Sequence, residues 1–278
     1  MKGDIVEIRK SFARDVCKAG NITSKEIQRA FEIIPREFFL GPGPWKLKTV
    51  EGKYFDSESS DARDLYADIL VAIDPERYLN NGVPSFFASI VQQVEPMKGD
   101  KVLHIGAGVG YYSAILAEVV GPEGHVHGIE IDPALAARAK ENLKDHPNVT
   151  IENSDAGNLP KNSYDVIVVN AGATHIELRW LKSLRNNGRL ILPLTCDTWE
   201  AGRMLFVSKL SDLFKAKTVS TVFIYPCIGS RDDAHAQKLR KTVQEQGWEF
   251  EGTIRFDPQA ADESCWLKDD QYWLSKTV

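Results

Sequence analysis

Apolar residues recur at helical spacing from the start of the chain. Ile5, Ile8, Phe12 and Val16 share one face, which predicts a helix over 4–20 ended by Gly20-Asn21. Thr23 opens a second helix, with Glu26 placed to complete a capping box, and Pro35 stops it. Residues 35–45 read as loop, with alternating glycine and proline at 41–44. Residues 46–60 are polar and read as a flexible surface excursion. Apolar character returns over 64–74, closed by Pro75, and the turn-rich Tyr78-Leu-Asn-Asn-Gly-Val-Pro-Ser85 leads into a helix over 86–94.

From residue 101 short apolar runs alternate with helical patterns. Strands are predicted at 101–105, 125–130, 148–152 and 164–169, and helices near 110–120, 133–145 and 175–185, with Asp132 and Pro133 opening the middle one. This alternation predicts a doubly wound α/β sheet, mostly parallel, with helices on both faces. A fifth strand runs over 189–193. The link from there to the next apolar run, at 203–209, is too short for a crossover helix. That strand and the one at 218–225 should therefore pair antiparallel. A helix over 232–246, a strand over 248–256 and an irregular tail holding Trp266, Tyr272 and Trp273 complete the chain. The organisation expected is an N-terminal helical, substrate-side extension (1–75), a Rossmann-like core (76–226) and a C-terminal α+β appendage (227–278).

Composition narrows the class. With 278 residues and 43% apolar content the chain can bury a large core. A net charge of −5 argues against broad nucleic-acid binding. The opening residues carry no apolar leader, and no apolar run approaches the ~18 residues of a membrane span. The four cysteines are scattered without ligand spacing, so reduced thiols, a cytoplasmic location and no metal site are expected.

The chemistry centres on Lys101-Val-Leu-His-Ile-Gly-Ala-Gly-Val-Gly110, a strand, a glycine turn and a helix start. An acid, Glu130, ends the next strand, where a carboxylate accepts from ribose hydroxyls. The spacing is G-x-G-x-G, and nothing seats a pyrophosphate. An adenosine ligand without phosphate, S-adenosyl-L-methionine, fits better. Asp155 follows the third strand and Asn170 ends the fourth, at the carboxyl edge where such ligands bind. As plain structure, Asp155 is a turn former and Asp132 a helix cap.

Val102-Leu-His-Ile-Gly-Ala-Gly-Val-Gly-Tyr111, Gly128-Ile-Glu130, Ser154-Asp-Ala-Gly157 and Gly188-Arg-Leu-Ile-Leu-Pro193 resemble class I S-adenosylmethionine-dependent methyltransferases. Ala30-Phe-Glu-Ile-Ile-Pro-Arg-Glu-Phe-Phe39 and Tyr66-Ala-Asp68 resemble the protein-L-isoaspartate O-methyltransferase family within them. The resemblance implies that Gly106, Ala107, Gly108 and Gly110 pass the methionine part, Glu130 with Ile131 the ribose, and Asp155 with Ala156 the adenine. The chain also departs from the family. Leu79-Asn-Asn-Gly82 stands in place of the family's Gly-Gln-Thr-Ile-Ser loop, His104 replaces the acid before the first glycine, and residues after Pro226 extend past the usual core.

A carboxylate acceptor is already ionised at neutral pH and requires only donors that orient it. Asn80, Asn81 and Ser85 are the candidates. His104 reads as cofactor shell or packing more than as a base, His175 is a second candidate base, and Arg231 could pair with a substrate carboxylate. Three functions stay open. One is carboxyl O-methylation of a protein or peptide, of isoaspartyl type. Another is methylation of a small metabolite or peptide natural product. The third is an adaptor that binds the cofactor without turnover and docks a partner through Trp248, Trp266 and Trp273.

Overall fold

The computed structural model describes residues 4–49, 52–155, 159–161, 163–196 and 201–277. Helix α1 (Ile5–Ala19) starts at Asp4, whose side chain accepts from the Val6 N–H, and it buries Phe12, Ala13, Val16 and Cys17. Helix α2 (Lys25–Ile33) is capped by Ser24, not Thr23: the Ser24 hydroxyl accepts from the Ile27 N–H at 3.2 Å. The Thr23 N–H instead donates to Gln92 Oε1 at 2.6 Å. Where a loop was expected, Pro35 leads into a short helix α3 (Arg36–Leu40) that buries Arg36, Phe39 and Leu40.

The expected excursion at 46–60 is instead folded. Strands β1 (Lys46–Lys48), β2 (Tyr54–Asp56), β3 (Leu70–Asp74) and β4 (Leu79–Asn81) form an antiparallel sheet in the order β2-β1-β3-β4. Each run is too short to show a period in sequence. Pairing between distant segments, with Leu47 opposite Val71 and both buried, makes the sheet. Helix α4 (Pro84–Val94) follows, with proline in its first turn.

The alternating region forms as expected: β5 (Lys101–Ile105), α5 (Tyr111–Val120), β6 (His125–Glu130), α6 (Pro133–Asn142), β7 (Val149–Asn153) and β8 (Tyr164–Val169). Helix α7 (Leu178–Ser183) is shorter than predicted, and β9 (Leu184–Leu194) begins directly after it. Strands β10 (Gly202–Leu210) and β11 (Leu213–Val222) pair antiparallel, as the short link required. Helix α8 (Asp233–Gln246) and β12 (Glu251–Arg255) come next. The tail is not irregular: it forms β13 (Cys265–Lys268) and β14 (Trp273–Ser275), whose Trp266 and Trp273 are buried.

The chain divides into two compact units, residues 1–100 with 107–153, and residues 101–106 with 154–278. In the first, β6 and β7 run parallel, α5 is almost wholly buried, and α1 packs on α2 and α4. In the second, the strand order is β13-β14-β12-β11-β10-β9-β8-β5. The pairs β5–β8 and β8–β9 are parallel and the rest antiparallel. This is an α/β fold with a mixed sheet. Among the described residues no helix is long and apolar enough to cross a membrane.

Candidate functional site

In the first unit the glycine turn and the acid that ends β6 are tied together. The Gly108 N–H donates to Glu130 Oε2 at 2.8 Å, and the Asp132 N–H donates to Oε1 at 3.0 Å. Two backbone donors therefore fix a carboxylate that is nearly buried. Each oxygen keeps further lone-pair capacity for a ligand hydroxyl. Asn153 braces the same strand end, its amide donating to the carbonyls of Glu130 and Ile131. Ile131 itself is exposed.

Gly110 opens α5 with φ 91°, and a Cβ there would lie 2.7 Å from Leu143 Cδ1. Only glycine takes this backbone without strain. Ala107 holds the turn from within, its N–H donating to the Ile129 carbonyl at 3.0 Å. The β3–β4 hairpin reaches the same turn. A Cβ at Gly108 would meet Ile73 Cδ1 at 3.8 Å, and Arg77 pairs with Asp132 at 2.7 Å. Asp132 also caps α6 through the N–H groups of Ala134 and Leu135. Arg77 and these N–H groups hold its carboxyl below the usual range.

The acceptor-side candidates lie in this unit and are already engaged. Asn80 Oδ1 accepts from the Tyr54 hydroxyl at 2.8 Å, and Asn80 Nδ2 donates to the Tyr78 carbonyl at 2.7 Å. Asn81 Oδ1 accepts from Arg36, which is fully buried and also donates to the carbonyls of Leu65, Ala67 and Ile69. The Ser85 hydroxyl donates to Asp68 Oδ2 at 2.5 Å, and the Ser85 N–H donates to Asp68 Oδ1 at 2.8 Å. Tyr112 closes the loop, donating to the Gly82 carbonyl at 2.5 Å.

Arg36, Tyr66 and Asp68 fall within the segments that resemble the family, but no local pattern gives them a task. The structure gives each one: Arg36 and Asp68 hold the Asn81 and Ser85 side chains, while the Tyr66 hydroxyl bonds to Glu37 and receives Arg9. Nothing in the local pattern pointed to Tyr54 or Arg77.

In the second unit, the Gly106 φ is 81° and a Cβ there would lie 3.4 Å from the Asn170 carbonyl oxygen. The Asn170 N–H donates to the Ile105 carbonyl at 2.8 Å. His104 is fully buried on β5, and burial pushes its imidazole down to about 3. It is neutral at physiological pH. Asp155 is exposed, and Ala156 lies outside the described residues. Arg231 directs its guanidinium to the carbonyls of Gly172, Thr195 and Cys196 and to the Thr195 hydroxyl. His175 stacks on His235. Trp266 stacks on Phe250 and donates to the Gly247 carbonyl, and Trp273 donates to Asp257. Both rings are buried and bonded inside the appendage, whereas Trp248 is half-buried.

The model of the Protein-L-isoaspartate(D-aspartate) O-methyltransferase family matches residues 8–232. A protein-L-isoaspartate O-methyltransferase of Ignicoccus hospitalis is 34% identical over 192 residues, covering 68% of this chain and 82% of its own length. One from Methanothermobacter thermautotrophicus is 27% identical over 229 residues, covering 81% and 97%. Among solved structures, a protein-L-isoaspartate O-methyltransferase superposes with TM-score 0.67 at 26% identity, covering 85% of this chain and 69% of that one. A Plasmodium falciparum chain provisionally designated the same enzyme, in complex with S-adenosyl-L-homocysteine, gives TM-score 0.62 at 18% identity, covering 80% and 98%. The latter shows likeness of fold.

Proposed function

The chain belongs to the protein-L-isoaspartate(D-aspartate) O-methyltransferase family, and on that footing we propose that it methylates a carboxylate of a protein or peptide, of isoaspartyl type, using S-adenosyl-L-methionine. The observation that carries the reading is the family match over residues 8–232. The geometry at Glu130 supports the donor. A carboxylate held by two backbone N–H groups is a preorganised acceptor for ribose hydroxyls. The glycine turn keeps side chains away from a ligand approaching the backbone.

In this reading Gly106, Ala107, Gly108 and Gly110 pass the methionine part, Glu130 and Ile131 the ribose, and Asp155 with Ala156 the adenine. We assign His104 and Asn170 to the cofactor side as well. When bound, S-adenosyl-L-methionine supplies an electrophilic sulfonium methyl, so a nucleophile held in line at near-attack distance suffices. An acceptor carboxylate, with unperturbed pKa about 4, is ionised at neutral pH, and forming the ester releases no proton. His104, neutral and buried, has no proton to manage.

The protein's task on the acceptor side is orientation. Arg36 holds Asn81 Oδ1, which turns the Nδ2 edge of that amide away from the guanidinium. Asn80 gives one Nδ2 hydrogen to Tyr78 and keeps a second. These amides orient the acceptor, and Ser85, bonded to Asp68, anchors the loop that carries them. Residues 1–75 form the substrate-side extension, 76–226 the methyltransferase core, which binds the cofactor and carries Asn80, Asn81 and Ser85, and 227–278 an appendage. A cytoplasmic location goes with this reading.

Labelled S-adenosyl-L-methionine offered with matched isoaspartyl and aspartyl peptides tests it. A base-labile methyl ester on the isoaspartyl peptide alone is the expected product, and no ester above background on it removes the isoaspartyl assignment. One observation favours a second reading: Asn80-Asn81 stands in place of the family's Thr-Ile-Ser. A small-metabolite or natural-product carboxylate would then be the acceptor. Turnover on a metabolite panel with none on isoaspartyl peptides would select it.

A further inference from the structure

Beyond β8 the second unit gathers ionisable side chains that the proposed reaction does not use. His175 lies between β8 and α7, Asp232 is the N-cap of α8, and His235 sits in the first turn of that helix. One ligand atom from each lies within 4.8 Å of the other two. The imidazoles stack with centroids 4.1 Å apart.

Each histidine meets a second carboxylate at its Nε2 atom. Asp269 Oδ2 lies 2.7 Å from His235 Nε2, and Glu177 Oε1 lies 3.4 Å from His175 Nε2. A carboxylate at one ring nitrogen draws the proton there and leaves the lone pair of the other for a cation. That assignment makes Nδ1 the ligand atom of both rings; at His175 the cation would displace the Thr174 hydroxyl, which meets that nitrogen at 3.2 Å. The Asp232 carboxylate already lies against His235 Nδ1 and supplies a third donor.

We propose that His175, Asp232 and His235 bind a divalent transition cation of the zinc class, with Glu177 and Asp269 orienting the two imidazoles. Two imidazole nitrogens and one carboxylate oxygen suit zinc, whereas calcium and magnesium require all-oxygen shells. Asp232 is half exposed, so the cation has an entry path and water can take the remaining position. The surrounding bonds already knit the same segments. The Asp232 N–H donates to the Thr174 hydroxyl at 3.4 Å, and the Ile176 N–H donates to the Tyr272 hydroxyl at 2.9 Å. The cation would staple α8 to the segment after β8. His235 and Asp269 lie past residue 232, where the family match ends, so the site combines family chain with its extension.

The test uses the full chain without a histidine tag, stripped with chelator and dialysed against Zn²⁺ or Co²⁺. Expected are one equivalent of Zn²⁺ per chain by elemental analysis, a rise in Tm on loading, and a visible d–d absorption with Co²⁺. His175→Ala and His235→Ala each abolish stoichiometric uptake, and Asp269→Asn weakens it by roughly 10–100-fold. If His235→Ala fails to fold, His175→Gln, outside α8, carries the test alone. No uptake by the wild type overturns the proposal and leaves His235 as a ring held between the carboxylates of Asp232 and Asp269. Uptake unchanged in the His175 variants overturns it equally.

Discussion

Arg36 donates from Nη2 and Nε to Asn81 Oδ1, at 3.3 and 3.4 Å, while Nη1 and Nη2 close on the carbonyls of Leu65, Ala67 and Ile69. One buried guanidinium thus ties Asn81 to the segment 65–69. Lysine cannot reproduce that fork. Arg36→Lys should cost about 3 kcal/mol, since each buried acceptor left unpaired costs roughly 1–3 kcal/mol. Denaturant midpoints measure it. Single-turnover methyl transfer should slow while S-adenosyl-L-homocysteine affinity holds, and an unchanged rate would remove Arg36 from the positioning role.

Glu130→Gln removes the charge that Gly108 and Asp132 hold in place. Hydrogen bonds to a charged group are worth roughly 1.5–3 kcal/mol, so affinity for S-adenosyl-L-homocysteine should fall about 10- to 100-fold. Titration calorimetry reads this directly. Wild-type affinity in the variant would mean that the ribose lies elsewhere.

Gly110→Ala combines positive φ with crowding against Leu143. Gly99, at φ 86° with nothing within 4 Å of a Cβ, shares the backbone strain without the crowding. Both variants should lose stability, by about 1–3 kcal/mol for the strain alone, with Gly110→Ala losing more by a similar overpacking increment. Equal losses in thermal melts would show that Leu143 yields freely.

His104 gives stability a pH dependence of known sign. Burial holds its folded pKa at about 3, below the ordinary histidine value of about 6.5, so the unfolded chain takes up a proton first as the pH falls. The stabilisation is complete above about pH 6.5 and is lost progressively down to about 3. In His104→Asn, the slope of unfolding free energy against pH between roughly 6 and 5 should be shallower by up to one proton, about 1.4 kcal/mol per unit. Parallel slopes would place the titration elsewhere.

The pair Arg77–Asp132 separates two roles in one carboxylate. The ion pair is largely exposed on the Arg77 side and should be worth about 0–1 kcal/mol, so Arg77→Ala is mild. Asp132→Ala also removes the α6 cap and should cost about 1 kcal/mol more. Chemical denaturation of the two variants checks the order. An equal cost would deny the cap its share.

The sequence pattern exposed what is local. Strand β5, helix α5, strand β6 and the Asp132 cap each sit where a period or a capping residue marks them, because each is decided within a few residues. Likewise, the antiparallel return at β10 followed from a link too short to cross over. What stayed hidden depends on partners far along the chain. Strands β1 to β4 have too few residues for alternation to register, and β14 exists because Trp273 pairs with Arg255 and Lys268. The same limit applies at the site. Asn80, Asn81 and Ser85 were visible as donors, but their engagement by Tyr54, Arg36 and Asp68 spans separations that no motif encodes.

Strands β12, β14 and β13 continue the sheet past β11. A strand left at a sheet margin offers unsatisfied peptide groups to any other chain that can add to it. Here the ten-residue β11 is shielded, and the margin moves to β13, four residues long and irregular between Cys265 and Leu267. A ladder so short and broken is a poor template for self-association. The appendage therefore replaces a long, regular edge strand with one far less suited to pairing with another chain, a consequence separate from the chemistry.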